Sequence, residues 1–412
     1  MAVLAILTCV VTVARFAEIL GRVLGLHQRP RPFGRKHLLL TGTFYNEGWL
    51  RSHILPLAAS EALDRIYVVS DHPLFEVDKV TYFSPPKWAN RIFGRAVCRI
   101  ALLISIGIRE HPDVFMGYHI MPNALICLVA ARLCGGQAIY QMTGGPTQII
   151  GGGWQSENWL LRRLGGPSSI LERLLFHVVR QFDWIIVRGP QAMNFLARHR
   201  LASRCASITG SVDVDTFHPR LCGREYDIVY VSRLVPCKGL EYFLFVLREL
   251  ARMRPALRAA IVGDGPLMAR LREQATECGI GTNVDFLGRR NDMNEVFCRS
   301  RVFMLLSPRE GMSIAMLEAM ASGLPAVVTD VGELSDMLGD GKAGVLVNQD
   351  SPEETAAVVD SILCDSGRLA SMALDARHTI ETRASVKAIA SCWKVVFEDE
   401  KAACECQTRV AV

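Results

Sequence analysis

The chain has 412 residues, half of them hydrophobic and 21% charged, with a formal net charge of +5. That length exceeds one ordinary core and suits two domains, and the composition excludes a disordered or low-complexity chain. The charge is uneven: residues 1–210 carry 23 Lys and Arg against 12 Asp and Glu, and the remainder 23 against 29. A basic first half suits an anionic partner such as a membrane surface, a lipid phosphate or an acidic polymer, although solvated arginine faces give the same count.

The first segment, residues 1–35, opens on an apolar run from Ala2 to Ala14. As a helix this run is ~20 Å long, short of a ~30 Å hydrocarbon layer. It has no basic leader before it, so a signal peptide is not expected. Thr8, Thr12, Arg15, Glu18 and Arg22 recur at steps of three and four and draw one polar stripe, and arginines crowd the segment that follows. The pattern predicts a helix lying in a membrane interface; a single span and a helix packed on the protein's own surface are the alternatives.

Residues 36–208 alternate solid apolar runs with helical segments. The runs are KHLLLTG, RIYVVSD, DVFMGYH, QAIYQMTGG and, as the last strand of this half, FDWIIVRG. Strands without polar alternation belong to a parallel sheet covered on both faces. Residues 209–224, rich in turn formers, read as a linker. The rhythm restarts over 225–382 with YDIVYVSRL, RAAIVGDGP, VDFLG, VFMLLSP, PAVVTD and GVLV. Long helical stretches follow at about 352–365 and 383–404, and the last, within 383–412, is expected to return to the first domain. The fold class is α/β, with two doubly wound parallel-sheet domains; a ligand crevice is expected outside the carboxyl ends of the strands. The thirteen cysteines have no metal-ligand spacing and read as scattered reduced thiols.

Chemistry concentrates at strand ends in the second half. Arg233 ends one strand and Lys238 follows within a loop, two cations suited to a diphosphate. Gly263 and Gly265 end the next strand and permit close approach of a ligand. The stretch SPREGMS opens a helix whose free N–H groups suit a phosphate, with Glu310 at its mouth and Glu318 inside it. A lone carboxylate among the small and apolar neighbours of Glu318 needs a polar partner.

VSRLVPCKGLEYFL, IVGDGP, VDFLGRR and the Glu310-to-Glu318 spacing resemble the retaining glycosyltransferases of the GT-B fold, family four, from about Ser211 to Val347. The resemblance implies two Rossmann-like domains facing a central cleft. It implies that Arg233 and Lys238 bind the donor diphosphate and stabilise it as a leaving group, that Glu318 holds the ribose, and that Glu310 touches the donor sugar. Backbone groups of Gly311, Met312, Ser313 and Ile314 would hold sugar and phosphate, and Arg289 would lie near the base. His119 would face the sugar from the other domain, and Gly48 would leave room for phosphate. Met312-Ser313 replaces the Phe-Gly pair common in that family, and Gly332-Glu333 stands where two glycines are common, so donor-sugar identity is left open.

The expected reaction is transfer from a UDP- or GDP-linked sugar to a sugar, lipid-linked or polysaccharide acceptor, without a metal or other cofactor and with retention. Peripheral membrane contact through the N-terminal helix, at the cytoplasmic face, is expected; a nucleic-acid partner is not. Met142–Trp159, rich in glycine with two tryptophans, is the candidate acceptor loop. A nucleotide-sugar epimerase or hydrolase and a catalytically silent nucleotide-binding protein are the alternatives. An NAD enzyme is disfavoured because no G-x-G-x-x-G follows a strand.

Overall fold

A computed structural model describes residues 2–27, 34–44, 47–70, 75–156, 161, 165–201 and 204–398. The chain divides into two compact units, Met1–Thr209 with Ile389–Val412, and Gly210–Ala388.

The first unit holds a seven-stranded sheet in the order β3-β2-β1-β4-β5-β6-β7. Its strands are β1 (Lys36–Thr41), β2 (Leu63–Val69), β3 (Val80–Phe83), β4 (Val114–Tyr118), β5 (Gln137–Gln141), β6 (Trp184–Val187) and β7 (Cys205–Ser207). All the pairings are parallel. The central runs are sealed on both faces, with Leu38, Leu39 and Leu40 fully buried. Each face is covered by helices. On one side pack α1 (Ala2–Val23), α4 (Arg95–Glu110), α5 (Leu125–Cys134), α6 (Ser169–Val179) and α7 (Pro190–Arg198). On the other lie α2 (Glu47–Ala59) and the last described helix, Val386–Glu398, whose Trp393 and Phe397 rings stack 5.4 Å apart. FDWIIVRG is therefore not the last strand of this half. The edge strands Val80–Phe83 and Cys205–Ser207 escape a sequence reading because they are four and three residues long and half exposed, with no sealed apolar run.

The second unit is a six-stranded parallel sheet in the order β10-β9-β8-β11-β12-β13. The strands are β8 (Tyr226–Val231), β9 (Ala259–Val262), β10 (Val284–Gly288), β11 (Ser300–Leu305), β12 (Ala326–Thr329) and β13 (Gly344–Val347). In both sheets the first strand of the unit lies between its second and fourth, so the chain reverses its direction of travel there. That switch point is where open α/β sheets bind ligands, outside the carboxyl ends of the strands. The C-terminal helices number three among the described residues rather than two. Ser366–Arg383, capped by Asp365 accepting from the Arg368 N–H at 2.9 Å, lies between Pro352–Cys364 and Val386–Glu398. Its mixed polarity hides the apolar stripe of Met372, Ala376 and Ile380 that it buries.

Helix α1 packs on its own unit. Leu7, Val11, Ala14, Ala17 and Gly21 form its buried stripe. A side chain at Gly21 would collide with the Leu133 carbonyl of α5 at 2.0 Å, so a glycine is what permits this approach. The stripe of Thr12, Arg15 and Arg22 faces solvent beside the exposed Val13, Phe16, Ile19 and Val23. No helix among the described residues is long and apolar enough to cross a membrane. Val11→Asp is expected to cost about 3 kcal/mol of stability by burying a charge against α5, whereas Phe16→Asp should change stability by less than about 0.5 kcal/mol. Chemical denaturation of the two variants checks this; equal effects would mean that α1 does not pack as described.

Candidate functional site

In the second unit, neighbouring strands at the switch point send their following loops in opposite directions, so residues just past them meet. Tyr230 of β8 is in register with Met304 of β11. The loop after β8 brings Lys238, and the loop after β11 brings Glu310; Lys238 Nζ donates to Glu310 Oε2 at 2.6 Å. Each side chain is only 13% exposed. An ion pair this enclosed keeps much of its Coulomb attraction, and removing one partner would strand the other.

The Lys238 loop is held by residues that the sequence reading passed over. The Tyr230 hydroxyl accepts from the Leu306 N–H at 3.0 Å and donates to the Lys238 carbonyl. Gly239, in the left-handed region at φ 68°, opens helix α8 (Leu240–Met253) with a Cβ position only 1.8 Å from the Leu306 carbonyl. A side chain there would push the Lys238 loop off β11. The signal was present in the Lys-Gly pair but reads equally as an ordinary turn glycine.

Helix α11 (Ile314–Ala321) follows Glu310. Ser313 is its N-cap, its hydroxyl accepting from the Met316 N–H at 3.2 Å. The residue that departs from the Phe-Gly pattern thus has a local structural use. Gly311 accepts from the Glu333 N–H at 2.8 Å, Met312 packs against the core, and Ile314 begins the helix, where first-turn N–H groups have no intrahelical acceptor. Gly332, at φ 59°, would place a Cβ 2.1 Å from the Glu310 carbonyl. The loop after β12 therefore lies directly on the Glu310 backbone.

The carboxylate of Glu318, on the second turn of α11, makes no hydrogen bond or ion pair among the described residues, while its backbone carbonyl accepts from the Ser322 hydroxyl at 2.9 Å. Burial pushes its carboxyl up to about 8. It is half-buried by surface, not sealed, so a polar ligand can reach it. Arg233 and Arg289 are exposed, past β8 and β10. Gly263 and Gly265 have positive φ, and their Cβ positions would meet the Ser232 and Leu234 carbonyls at 1.8 and 2.4 Å. Their identity is demanded by the β8 loop packed against them, whatever binds there.

In the first unit, His119 follows β4 with φ 61°, a conformation uncommon for a non-glycine residue. Its Nδ1 is 2.9 Å from Gln148 Nε2 and 3.0 Å from Thr143 Oγ1. Tyr140 donates to Gln148 Oε1 at 2.5 Å, and the amide nitrogen of Gln148 faces the imidazole. An amide nitrogen only donates, so in this arrangement Nδ1 accepts from Gln148. Gly48 sits exposed in the first turn of α2, next to Trp49, whose ring stacks on His53 at 4.0 Å and on His119 at 6.4 Å.

Sequence reasoning missed Arg188, just past β6. It is buried, with no carboxylate partner among the described residues, and its guanidinium donates to His53 Nε2. Burial lowers the Arg188 pKa to about 10. His53 is held well below its ordinary value by burial first and by Arg188 second, so it is a neutral acceptor. In the candidate acceptor loop, Gly151, Gly152 and Gly153 all have positive φ and are buried, and Trp154 is half-buried. The second tryptophan, Trp159, lies outside the described residues.

The raised pKa of Glu318 has a pH signature. Between its ordinary 4.5 and about 8 the unfolded chain has lost a proton that the ligand-free fold retains, so this group's contribution to stability falls as pH rises through that window. Glu318→Gln should be neutral near pH 4.5 and stabilising by about 1–2 kcal/mol at pH 8, the partial exposure limiting the gain. Thermal denaturation at both pH values without ligand reads this directly; a pH-independent difference would refute it.

Residues 215–379 match the family described as Glycosyl transferases group 1. Over 162 residues the chain is 35% identical to a GDP-mannose-dependent alpha-(1-6)-phosphatidylinositol monomannoside mannosyltransferase of Mycolicibacterium smegmatis, covering 37% of this chain and 42% of that one. It is 30% identical over 256 residues to an exopolysaccharide phosphotransferase of Streptomyces coelicolor, covering 62% of this chain and 25% of that one. The chain thus spans less than half the length of these two relatives. Among solved structures, Anabaena HepE in complex with UDP superimposes with a TM-score of 0.67 at 17% identity, covering 88% of this chain and 99% of that one. Likeness at that identity speaks for the fold, which is GT-B.

Proposed function

We propose, from the match of residues 215–379 to the group 1 glycosyl transferases, that this chain is a retaining glycosyltransferase using a UDP- or GDP-linked sugar. The acceptor is a membrane-associated glycolipid or a growing polysaccharide. The observation that carries this reading is the enclosed Lys238–Glu310 pair at the switch point of the second sheet, followed by helix α11 with a Glu318 carboxylate that has no partner among the described residues.

Those residues divide the chemistry of one donor. Breaking a sugar–diphosphate bond leaves negative charge on phosphate, and Lys238, Arg233 and the first-turn N–H groups of α11 stabilise it. In the ligand-free fold Glu310 neutralises Lys238; with donor bound, the diphosphate takes over that cation, and Glu310 turns to the sugar hydroxyls. Glu318 accepts from the ribose hydroxyls, which relieves its burial. Because these cations offset the leaving-group charge, transfer is expected to run without a metal. The acceptor hydroxyl attacks from the face the diphosphate leaves, which retains the anomeric configuration. The relatives named for phosphatidylinositol and exopolysaccharide chemistry, together with the basic first half, support an acceptor at the inner membrane face.

Lys238→Ala is expected to lower kcat by about 10²–10³-fold, with transfer measured as nucleotide release that depends on acceptor. Release without acceptor would indicate a hydrolase instead. Glu318→Ala should weaken the thermal shift given by UDP or GDP, whichever stabilises the parent more. Activity should survive EDTA, and NMR of the product should show the donor's anomeric configuration; an inverted product or loss of activity in EDTA would overturn the corresponding step.

A further inference from the structure

The first unit carries an apolar surface that none of its described elements covers. Helix α3 (Lys87–Phe93) has no buried residue at all. Seven residues make a helix too short to stand alone in water. Trp88, Ile92 and Phe93 are 64%, 66% and 59% exposed. Gly94, at φ 82°, separates α3 from α4. On α4, Val97, Ile100, Ala101 and Ile108 are exposed on the side away from the buried Cys98, Leu103 and Ile106, while Ile104 is half-buried against the core. Val97 is 56% exposed. Helix α4 therefore carries exposed apolar side chains as well as the ones it gives to the core.

The charge on this face is one-signed. Residues 86–108 contain Lys87, Arg91, Arg95 and Arg99 and no Asp or Glu. Lys87, Arg91 and Arg95 are exposed among the apolar side chains. A protein partner of matching shape would need acidic groups spread through an apolar patch; a bilayer with anionic headgroups supplies both at fixed depth. Arg99 points inward instead, donating to the Gly42 carbonyl at 3.5 Å and to Asn123 Oδ1 at 3.4 Å. Asn123 in turn donates to the Tyr118 carbonyl at 3.0 Å. Helix α4 is thus tied to the loops at the carboxyl ends of β1 and β4, where His119 stands.

We propose that α3 and the outer stripe of α4 insert into the surface of an anionic phospholipid bilayer, with Trp88, Ile92, Phe93 and Val97 among the acyl chains and Lys87, Arg91 and Arg95 at the phosphates. This assigns the membrane contact to a helix pair beside the His119 loops. The N-terminal helix belongs to the same helical layer and is secondary. The inference rests on the proposed membrane acceptor for its biological use, but lipid binding is measured apart from any sugar transfer.

The test is co-sedimentation of the full chain with vesicles of phosphatidylcholine, with and without 30% phosphatidylglycerol. The parent should bind the anionic vesicles at least tenfold more tightly, with the preference lost at high salt. Trp88→Ser with Phe93→Ser should weaken binding tenfold or more, and Arg91→Glu with Arg95→Glu should abolish the preference for phosphatidylglycerol. Phe16→Ser on α1 should have a smaller effect than the Trp88/Phe93 pair. Each variant must keep the parent's nucleotide-induced thermal shift, which separates this inference from the glycosyltransferase reading and from misfolding. The proposal is overturned by undiminished vesicle binding in the Trp88/Phe93 variant, by binding that follows Phe16 alone, or by light scattering that shows a dimer dissociated by the Trp88/Phe93 change.

Discussion

The second unit depends on one constraint, the parallel pairing of β8 with β11 at its switch point. Because the two strands run side by side and their connections depart to opposite sides, the residues just past their carboxyl ends must converge. Lys238 and Glu310 are 72 residues apart in sequence and 2.6 Å apart in space for that reason alone. Tyr230 fastens the arrangement from beneath, bonded to the Leu306 N–H and the Lys238 carbonyl. The glycines at 239, 263, 265 and 332 let the loops stack against one another's carbonyls. The charged pair is held by packed backbone and not by its own attraction.

The first unit repeats the topology with different chemistry. Its switch point carries His119, oriented through the chain of Tyr140, Gln148 and Nδ1, and beside it a stack of Trp49 and His53. Arg188 is the expensive member: a buried guanidinium with a neutral imidazole as its neighbour instead of a carboxylate. Buried polar groups of this kind are rare unless something requires them. Its position past β6 places it on the same sheet edge as His119.

Much of the fold was legible because the strands are unbroken apolar runs, and such runs at this spacing admit little but a parallel sheet. What was not legible lacked that signal. Val80–Phe83 and Cys205–Ser207 are edge strands defined by their neighbours' hydrogen bonds, and Ser366–Arg383 buries a narrow stripe beneath a polar sequence. The N-terminal helix reads as a membrane-interface element because its apolar face is continuous. The structure gives its small-residue face, through Gly21, to α5. In the site, Lys238, Glu310 and Glu318 announce themselves by motif, while Tyr230, Gln148 and Arg188 do not. They act through partners distant in sequence, and their residue types are common in any core.

The sequence by itself determined which groups are available: two cations past one strand, two glutamates around one helix mouth, and apolar runs that must form a covered parallel sheet. Those follow from local rules of periodicity, turn chemistry and charge. Only the tertiary structure decided which groups meet and in what state. It pairs Lys238 with Glu310, leaves the Glu318 carboxylate without a partner among the described residues and raises its pKa to about 8, brings Gln148 to His119 Nδ1, and turns one face of α3 and α4 away from the core. Each of these depends on burial and on contacts between residues far apart in the chain, which no local pattern encodes.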